Sequence, residues 1–387
     1  MEHTEMTGVC FCGIVRQEAR VIERCLTAAR FMIDYVSICD TGSTDKTVQL
    51  IEAWGKANNI PTVVHSVPWK NFGYNRTESL VRAYASFPQA TYLLLLDADM
   101  VLMDRGFKKE QLKEDGYMIT QTEQGSSYRN LRLVKNCYGW KSVGVTHEYT
   151  APVEAKDMGV PGVHAFTAPL HRGGFQAGTL DTVWIDDRSD GGCKDDKLDR
   201  DAVLLIQGLK DEPGNSRYMF YLGNTYFAMH QYLDAIYWYE RRIADTKNMF
   251  EEEAWYACYR VAQAYEKMKD YPRTVYWYMK AINRRPHRIE PYVCLAKHFI
   301  FSDPPHQYWT ATLLIKEGLA QARRDVDLLF YEDKAYDYDG WYVLSIANTY
   351  IRGRELEGRA ACQKVLASSA PADMKKHVKG IQDTYYA

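Results

Sequence analysis

Two clusters of acidic residues have the spacing for chemistry. Asp97-Ala98-Asp99 follows an apolar run over residues 92–96, and Asp40-Thr41-Gly42-Ser43-Thr44-Asp45 follows another over residues 35–39. Side chains two apart on a strand face the same way, so Asp97 and Asp99 would project together. Neighbouring carboxylates repel unless something positive joins them. A divalent cation does this, and it can also hold a substrate diphosphate. The competing reading is a turn or cap, where Asp is common. Asp40 is a strand-end carboxylate suited to the donor groups of a base or ribose. Gly42 permits a tight turn, and Ser43 or Thr44 can cap the next helix. Asp45 is assigned to structure, as a tether for the loop or the helix start.

The elements around these clusters follow from apolar spacing. Val9–Val15 reads as a buried strand. Residues 18–31 read as a helix with Val21, Ile22, Cys25, Leu26 and Ala29 on one face. Residues 35–39 form a second strand, and a helix starts near Lys46 with Val48, Ile51 and Trp54 inward. Residues 62–66 are a third strand, 75–86 a helix and 92–96 a fourth strand. This order signals a parallel sheet with helices on both faces. Ligands of such sheets bind beyond the carboxyl ends of the strands, where both acidic clusters sit. Residues 114–192 read as short strands and polar loops, with a mobile loop at residues 186–196.

From Arg217 the chain becomes helical and repeats itself. Tyr226, Tyr232, Ala235, Tyr237-Trp238-Tyr239 and Ile243 recur as Tyr265, Tyr271, Thr274, Tyr276-Trp277-Tyr278 and Ile282. Weaker copies follow at residues 295–299 with 313–322, and at 345–350 with 359–366. Such self-similarity means stacked helical hairpins of the tetratricopeptide kind. Large residues at these spacings read as inter-repeat core, the alternative being tyrosines that line an acceptor groove. The expected architecture is α/β over residues 1–192, then all-α repeats over 193–387.

Composition narrows the class. A chain of 387 residues suits two domains. Lys+Arg is 48 against Asp+Glu 50, so no basic surplus points to nucleic acid. The nine cysteines contain no Cys-x-x-Cys, which reads as reduced, buried thiols in a reducing compartment. The first eight residues lack the basic and apolar regions of a signal peptide. No uncharged apolar stretch approaches the ~18 residues of a membrane span. A cytoplasmic protein is the expectation.

Four words resemble family 2 glycosyltransferases of the GT-A fold: Ile14-Val15-Arg16-Gln17-Glu18, residues 40–47, Trp69-Lys70-Asn71-Phe72-Gly73-Tyr74-Asn75-Arg76, and Leu95-Leu96-Asp97-Ala98-Asp99. Gly144-Val145-Thr146-His147-Glu148 and His171-Arg172-Gly173-Gly174 are similar to two later words of that family. Residues 187–200 with the helices after them resemble a subgroup fused to tetratricopeptide-like repeats. The resemblance implies transfer of a sugar from a nucleotide-diphosphate donor, a UDP-sugar being favoured, with Mn²⁺ or Mg²⁺. It implies Ile14 and Glu18 near the base, Asp40 on base or ribose, and Arg76 near the diphosphate or holding the loop. It also implies Asp97 and Ala98 against ribose or sugar, and Asp99 with His171 on the metal.

Inverting transfer needs a base to take the acceptor proton, and Glu148 is the first candidate, with His147 beside it, the alternative being that the pair only holds a loop. The chain departs from the commonest family pattern, which carries an Asp-based word for the base. Asp181, Asp186 and Asp187 therefore stand as rivals. Residues 186–197 could close over the donor, with Lys194, Lys197 and Arg200 facing its diphosphate, or could simply be solvated. Two other classes compete. A sugar-phosphate nucleotidyltransferase would want a glycine-rich loop after the first strand, where Arg16-Gln17-Glu18 stands. A non-catalytic scaffold would use only the repeats, which could recruit a protein acceptor, hold a glycan or form a homodimer.

Overall fold

The computed structural model describes residues 8–123, 126–137, 139–153, 176–192, 196–245, 251–302, 305–324, 326–327 and 330–386. Two compact units are formed, Met1–Gly208 and Leu209–Ala387.

In the first unit, strands β1 (Val9–Val15), β2 (Tyr35–Asp40), β3 (Thr62–Ser66) and β4 (Tyr92–Leu95) alternate with helices α1 (Ile22–Ala29), α2 (Thr47–Asn58) and α3 (Phe72–Ser86). They are followed by β5 (Met100–Asp104), β6 (Gly116–Glu123), β7 (Ser126–Lys135), β8 (Trp140–Val143), β9 (Tyr149–Pro152) and β10 (Ala177–Asp187). Eight strands make one sheet in the order β3-β2-β1-β4-β7-β6-β10-β5, and β8 and β9 form a separate hairpin. The half built by the strand–helix alternation is parallel throughout. The other half is mixed: β10 runs parallel to β6, while β4·β7, β6·β7 and β10·β5 are antiparallel.

Strand alternation sorts β1 between two cores. Val9, Phe11 and Val15 pack with Ile22, Cys25 and Leu26 of α1 and Ile51 and Trp54 of α2. Cys10 and Cys12 point the other way, onto Leu80 and Ala83 of α3, with Leu93, Leu95 and Trp140. Both sheet faces are therefore covered, as continuous apolar strands require. Leu26 is fully buried, so truncation to Ala would cost about 2–5 kcal/mol. The described cysteines are free thiols, most of them buried.

The second unit pairs helices α5 (Ser216–Ala228) with α6 (Tyr232–Ala244), α7 (Glu251–Lys267) with α8 (Tyr271–Arg284), and α9 (Glu290–Phe301) with α10 (Tyr308–Gln321). Helices α11 (Gly340–Ala347), α12 (Glu355–Ala367) and α13 (Ala372–Tyr385) complete it, while α4 (Lys197–Asp211) spans the join. These are tetratricopeptide-like hairpins after an α/β unit, the architecture read from the sequence. The repeated aromatics divide by face. Tyr239 and Tyr278 are wholly buried in the shared core, whereas their partners Tyr237 and Tyr276 are exposed. Tyr239 Oη donates to Asn224 and Tyr278 Oη to Glu266, so burial leaves neither hydroxyl unsatisfied. Gly223 leaves room for the Tyr239 ring, which would lie 2.7 Å from any Cβ there. Among the described residues no helix is long and apolar enough to cross a membrane.

Candidate functional site

Strand order locates the crevice. The chain moves from β1 outward through β2 to β3, then returns so that β4 lies on the opposite side of β1. β1 pairs in parallel with both β2 and β4, so their carboxyl ends lie at one edge. Such a reversal point opens a cleft beyond those ends. Glu18 follows β1 there, and Asp97, Ala98 and Asp99 follow β4.

The acidic triplet is a turn rather than a strand extension. β4 stops at Leu95, and Met100 N donates to Asp97 O across the turn. Strand alternation therefore does not govern Asp97 and Asp99, and each has its own partners. Asp97 Oδ1 lies 2.6 Å from Arg76 Nη1, and the same guanidinium ion-pairs through Nε with Glu148 Oε1. Burial works against the charge of Arg76, but Asp97 and Glu148 outweigh it and raise its pKa above the ordinary value. Ala98, between the two acids, is buried.

Arg76 owes its position to the start of α3. Asn71 caps that helix by accepting from Tyr74 N. Phe72 N donates to Val145 O, and Ser142 N donates to Thr77 Oγ1, docking the helix on the β8–β9 hairpin. Gly73 makes the approach possible, because a Cβ there would fall 2.1 Å from Gly144 O. Glu148 lies at the β9 end of the same hairpin, which presents it to Arg76.

Asp99 and Glu18 converge on one backbone segment. Gly191 N donates to Asp99 Oδ2 at 3.3 Å, and Gly192 N to Glu18 Oε2 at 3.0 Å. Oxygens of both carboxylates lie within 3.3 Å of the point a Cβ on Gly191 would occupy. A Cβ on Gly192 would meet Gln17 O at 1.8 Å, so only glycine allows this crossing. Arg188 N also donates to Asp99 O at 3.4 Å. The segment is held by Arg24, whose Nη1 and Nη2 donate to Asp190 at 2.8 and 2.5 Å. Those hydrogen bonds raise the pKa of Arg24. Residues 188–192, read from the sequence as part of a mobile loop, are thus tied back onto α1 and the acidic turn. Arg24, Asp190 and the two glycines had no motif to mark them. Their only signal was a Gly-Gly pair next to an acid.

The remaining residues fall around this centre. Ile14 is half-buried on β1, opposite Cys39 of β2. Asp40 accepts from Gly42 N at 3.2 Å and Ser43 N at 3.1 Å, so its carboxylate shapes its own loop. Asp45 accepts from Thr47 N and Ala19 N, fixing the start of α2 to the β1–α1 loop. Burial raises its pKa, but these hydrogen bonds outweigh that and leave it lowered. Gln17 adopts the left-handed region at φ 59°, and its amide oxygen accepts from Thr44 N and Asp45 N. Lys197 opens α4 and is exposed. His147 Nε2 lies 4.0 Å from Asp201 Oδ2, and Thr146 donates to Asp201 Oδ1. Of the rival bases, Asp181 pairs with Arg129, Asp186 with Arg188, and Asp187 accepts from Gln121 and Ser189. His171 and Lys194 lie outside the described residues.

The donor set at Glu18 and Asp99 fits a small, hard cation. Both supply carboxylate oxygens, the ligands Mg²⁺ and Mn²⁺ favour. Among the described residues no three His, Cys, Asp or Glu side chains gather closely enough to cage an ion. A cation of this kind uses one or two carboxylates and completes its shell with water and substrate phosphate oxygens.

No protein-family model matches the chain. Over 98 residues, 25% of this chain, it is 30% identical to a TPR repeat-containing protein of Synechococcus elongatus, and the match spans 22% of that relative's length. Among solved structures, YrrB, a TPR protein with an unusual peptide-binding site, matches at 15% identity with a TM-score of 0.35, covering 48% of this chain and 84% of that one. S. aureus TarS 1-349 matches at 12% identity with a TM-score of 0.37, covering 73% of this chain and 93% of that one.

Proposed function

We propose that the chain is a glycosyltransferase that moves a sugar from a nucleotide-diphosphate donor, with a UDP-sugar favoured, to an acceptor hydroxyl. The reading rests on one observation. A cation-suited pair, Glu18 and Asp99, stands beside an arginine-bridged pair, Asp97 and Glu148, at the reversal point of a parallel sheet.

A bound Mn²⁺ or Mg²⁺ would neutralise charge on the departing diphosphate. Asp99 is the first ligand in this reading, with Glu18 beside it. Glu18 takes the ligand role here in place of contact with the base, and His171 remains a candidate third ligand. Arg76 holds Asp97 against the sugar or ribose and fixes Glu148 through Oε1. Glu148 then takes the acceptor hydroxyl proton on Oε2 as the new glycosidic bond forms and the bond to the diphosphate breaks. Attack from the face opposite the leaving group makes the transfer inverting. Ile14 and Asp40 line the nucleoside end, with Asp40 acting through the loop it shapes. Lys197 adds positive charge toward the diphosphate.

The test is thermal unfolding with UDP and UDP-sugars, with and without Mn²⁺. A donor bound to the folded state raises Tm by mass action, by about 2.7 kcal/mol of stability at a hundredfold excess over Kd. Stabilisation should require both nucleotide and metal. Equal stabilisation without metal would overturn the cation assignment.

A second reading is a scaffold that binds a partner through the repeats, favoured by a repeat unit that makes up nearly half of the chain. Hydrolysis of a nucleotide-sugar on adding Mn²⁺ separates the two, because a scaffold releases no nucleotide.

A further inference from the structure

The segment that crosses the acidic turn makes contacts that a cation would contest. Glu18 and Asp99 each accept a backbone N–H, from Gly192 and Gly191 respectively. Those oxygens are also the ones nearest their point of convergence at Gly191. A cation seated between the carboxylates would draw on the same lone pairs. It would also need the space now held by the Gly191 backbone. The segment is not loosely laid there. Asp190 is gripped at both oxygens by Arg24, a half-buried residue of α1, and Gly192 fits against Gln17 O at a distance no other residue allows.

We propose that Arg24 and Asp190 are positioning residues for a metal-displaced strap. In the metal-free protein they hold Gly191 and Gly192 across Glu18 and Asp99, and divalent cation binding moves the strap aside. The inference rests on the cation reading given above. Apparent metal affinity is then the intrinsic affinity multiplied by the fraction of molecules with the strap open. Weakening the strap raises that fraction without touching either carboxylate.

Electrostatics alone argues the opposite for one of the two partners. Removing Asp190 takes a negative charge away from the cation's neighbourhood, which weakens metal binding if the segment has no other role. Removing Arg24 would strengthen it on either account, so Arg24 is the less informative variant. Asp190→Ala is therefore decisive, and Gly192→Ala is an independent second disruption that changes no charge.

The experiment is titration of the full chain with Mn²⁺ alone, followed by electron paramagnetic resonance of the free ion. Thermal unfolding of the metal-free variants checks that both fold. Asp190→Ala and Gly192→Ala should each bind Mn²⁺ about tenfold more tightly than the wild type, the change expected if the strap is closed in about nine molecules of ten. Amide exchange at Gly191 and Gly192 should quicken when Mn²⁺ is added to the wild type. Unchanged or weaker Mn²⁺ binding in both variants would overturn the strap while leaving the cation reading intact. Absence of Mn²⁺ binding in all three proteins would overturn the cation reading and the strap together.

Discussion

The guanidinium of Arg76 lies between the carboxylates of Asp97 and Glu148 and ion-pairs with both. One residue comes from the turn after β4, one from α3 and one from the β8–β9 hairpin. Three separate elements are thus joined by a single, mostly buried charge.

Removing that charge leaves two half-buried carboxylates facing each other. Breaking a buried pair by deleting one partner costs about 3–5 kcal/mol. Arg76→Ala should therefore unfold at markedly lower urea concentration and lose nucleotide-diphosphate binding. Arg76→Lys keeps the charge but loses the fork that reaches both acids, so it should recover less than half of the lost stability. Urea unfolding of the three proteins measures this. Wild-type stability in the alanine variant would mean the bridge contributes nothing.

Asp99→Ala should abolish the metal-dependent rise in Tm given by UDP while leaving the metal-free Tm within about 1 °C of wild type. The carboxylate accepts a backbone N–H at a partly exposed site, and such surface changes are small in stability. A variant that keeps the full UDP and Mn²⁺ shift would remove Asp99 from the metal site.

Glu148→Gln should lower sugar transfer by about 10²–10⁴-fold, the usual worth of a general base. The shift in Tm from donor and Mn²⁺ should persist, because the substitution leaves Glu18 and Asp99 alone. Loss of donor binding together with turnover would instead assign Glu148 to holding Arg76. Asp187→Asn serves as the comparison, since its carboxylate already accepts from Gln121 and Ser189.

His65 gives a pH signature in the α/β unit. Its ring nitrogen lies 3.3 Å from Ser37 Oγ and 3.2 Å from Ser86 Oγ. Burial and then the nearby Arg82 charge lower its pKa below 6.5. The fold therefore prefers the neutral ring. Its contribution is fully present above pH 6.5 and is lost as pH falls through the lowered value. Below pH 6.5 the wild type should lose stability faster than His65→Gln. Parallel pH profiles from urea unfolding at pH 7.5 and 5.5 would contradict this.

The parallel half of the sheet was largely legible from sequence, for a physical reason. Strands β1, β2 and β4 are buried along nearly their whole length, so their apolar runs stand out, and Val21, Ile22, Cys25, Leu26 and Ala29 mark α1 by spacing alone. β3, the edge strand, is partly exposed and is marked by the β-branched Val63 and Val64 instead. α3 begins at Phe72 rather than Asn75 because the Asn71 cap recruits an extra turn. The repeat helices were equally plain, since the aromatic pattern recurs at a constant spacing on both the buried face, at Tyr239 and Tyr278, and the exposed one, at Tyr237 and Tyr276. β10 was not visible, because its buried residues Leu180, Val183 and Ile185 stand at uneven spacing, with Asp181 and Thr182 between the first two, and its register with β6 shifts between Thr179 and Trp184. At the candidate site, motifs marked Asp97, Asp99, Arg76 and Glu148 singly, but not the ion pairs between them. Nor could spacing bring Arg24 to Asp190 across most of the unit's length. Such contacts depend on tertiary packing, which local periodicity does not encode.

Gly73 and Gly144 touch so closely that helix α3 and the β8–β9 hairpin have no room to slide past one another. Arg76 and Glu148 therefore ride on one rigid block, whereas Asp97 belongs to the central sheet. Any breathing of the cleft would part the bridge on the Asp97 side. A bulkier residue at Gly73 would act at a distance, prising helix from hairpin and separating Arg76 from Glu148 while altering neither.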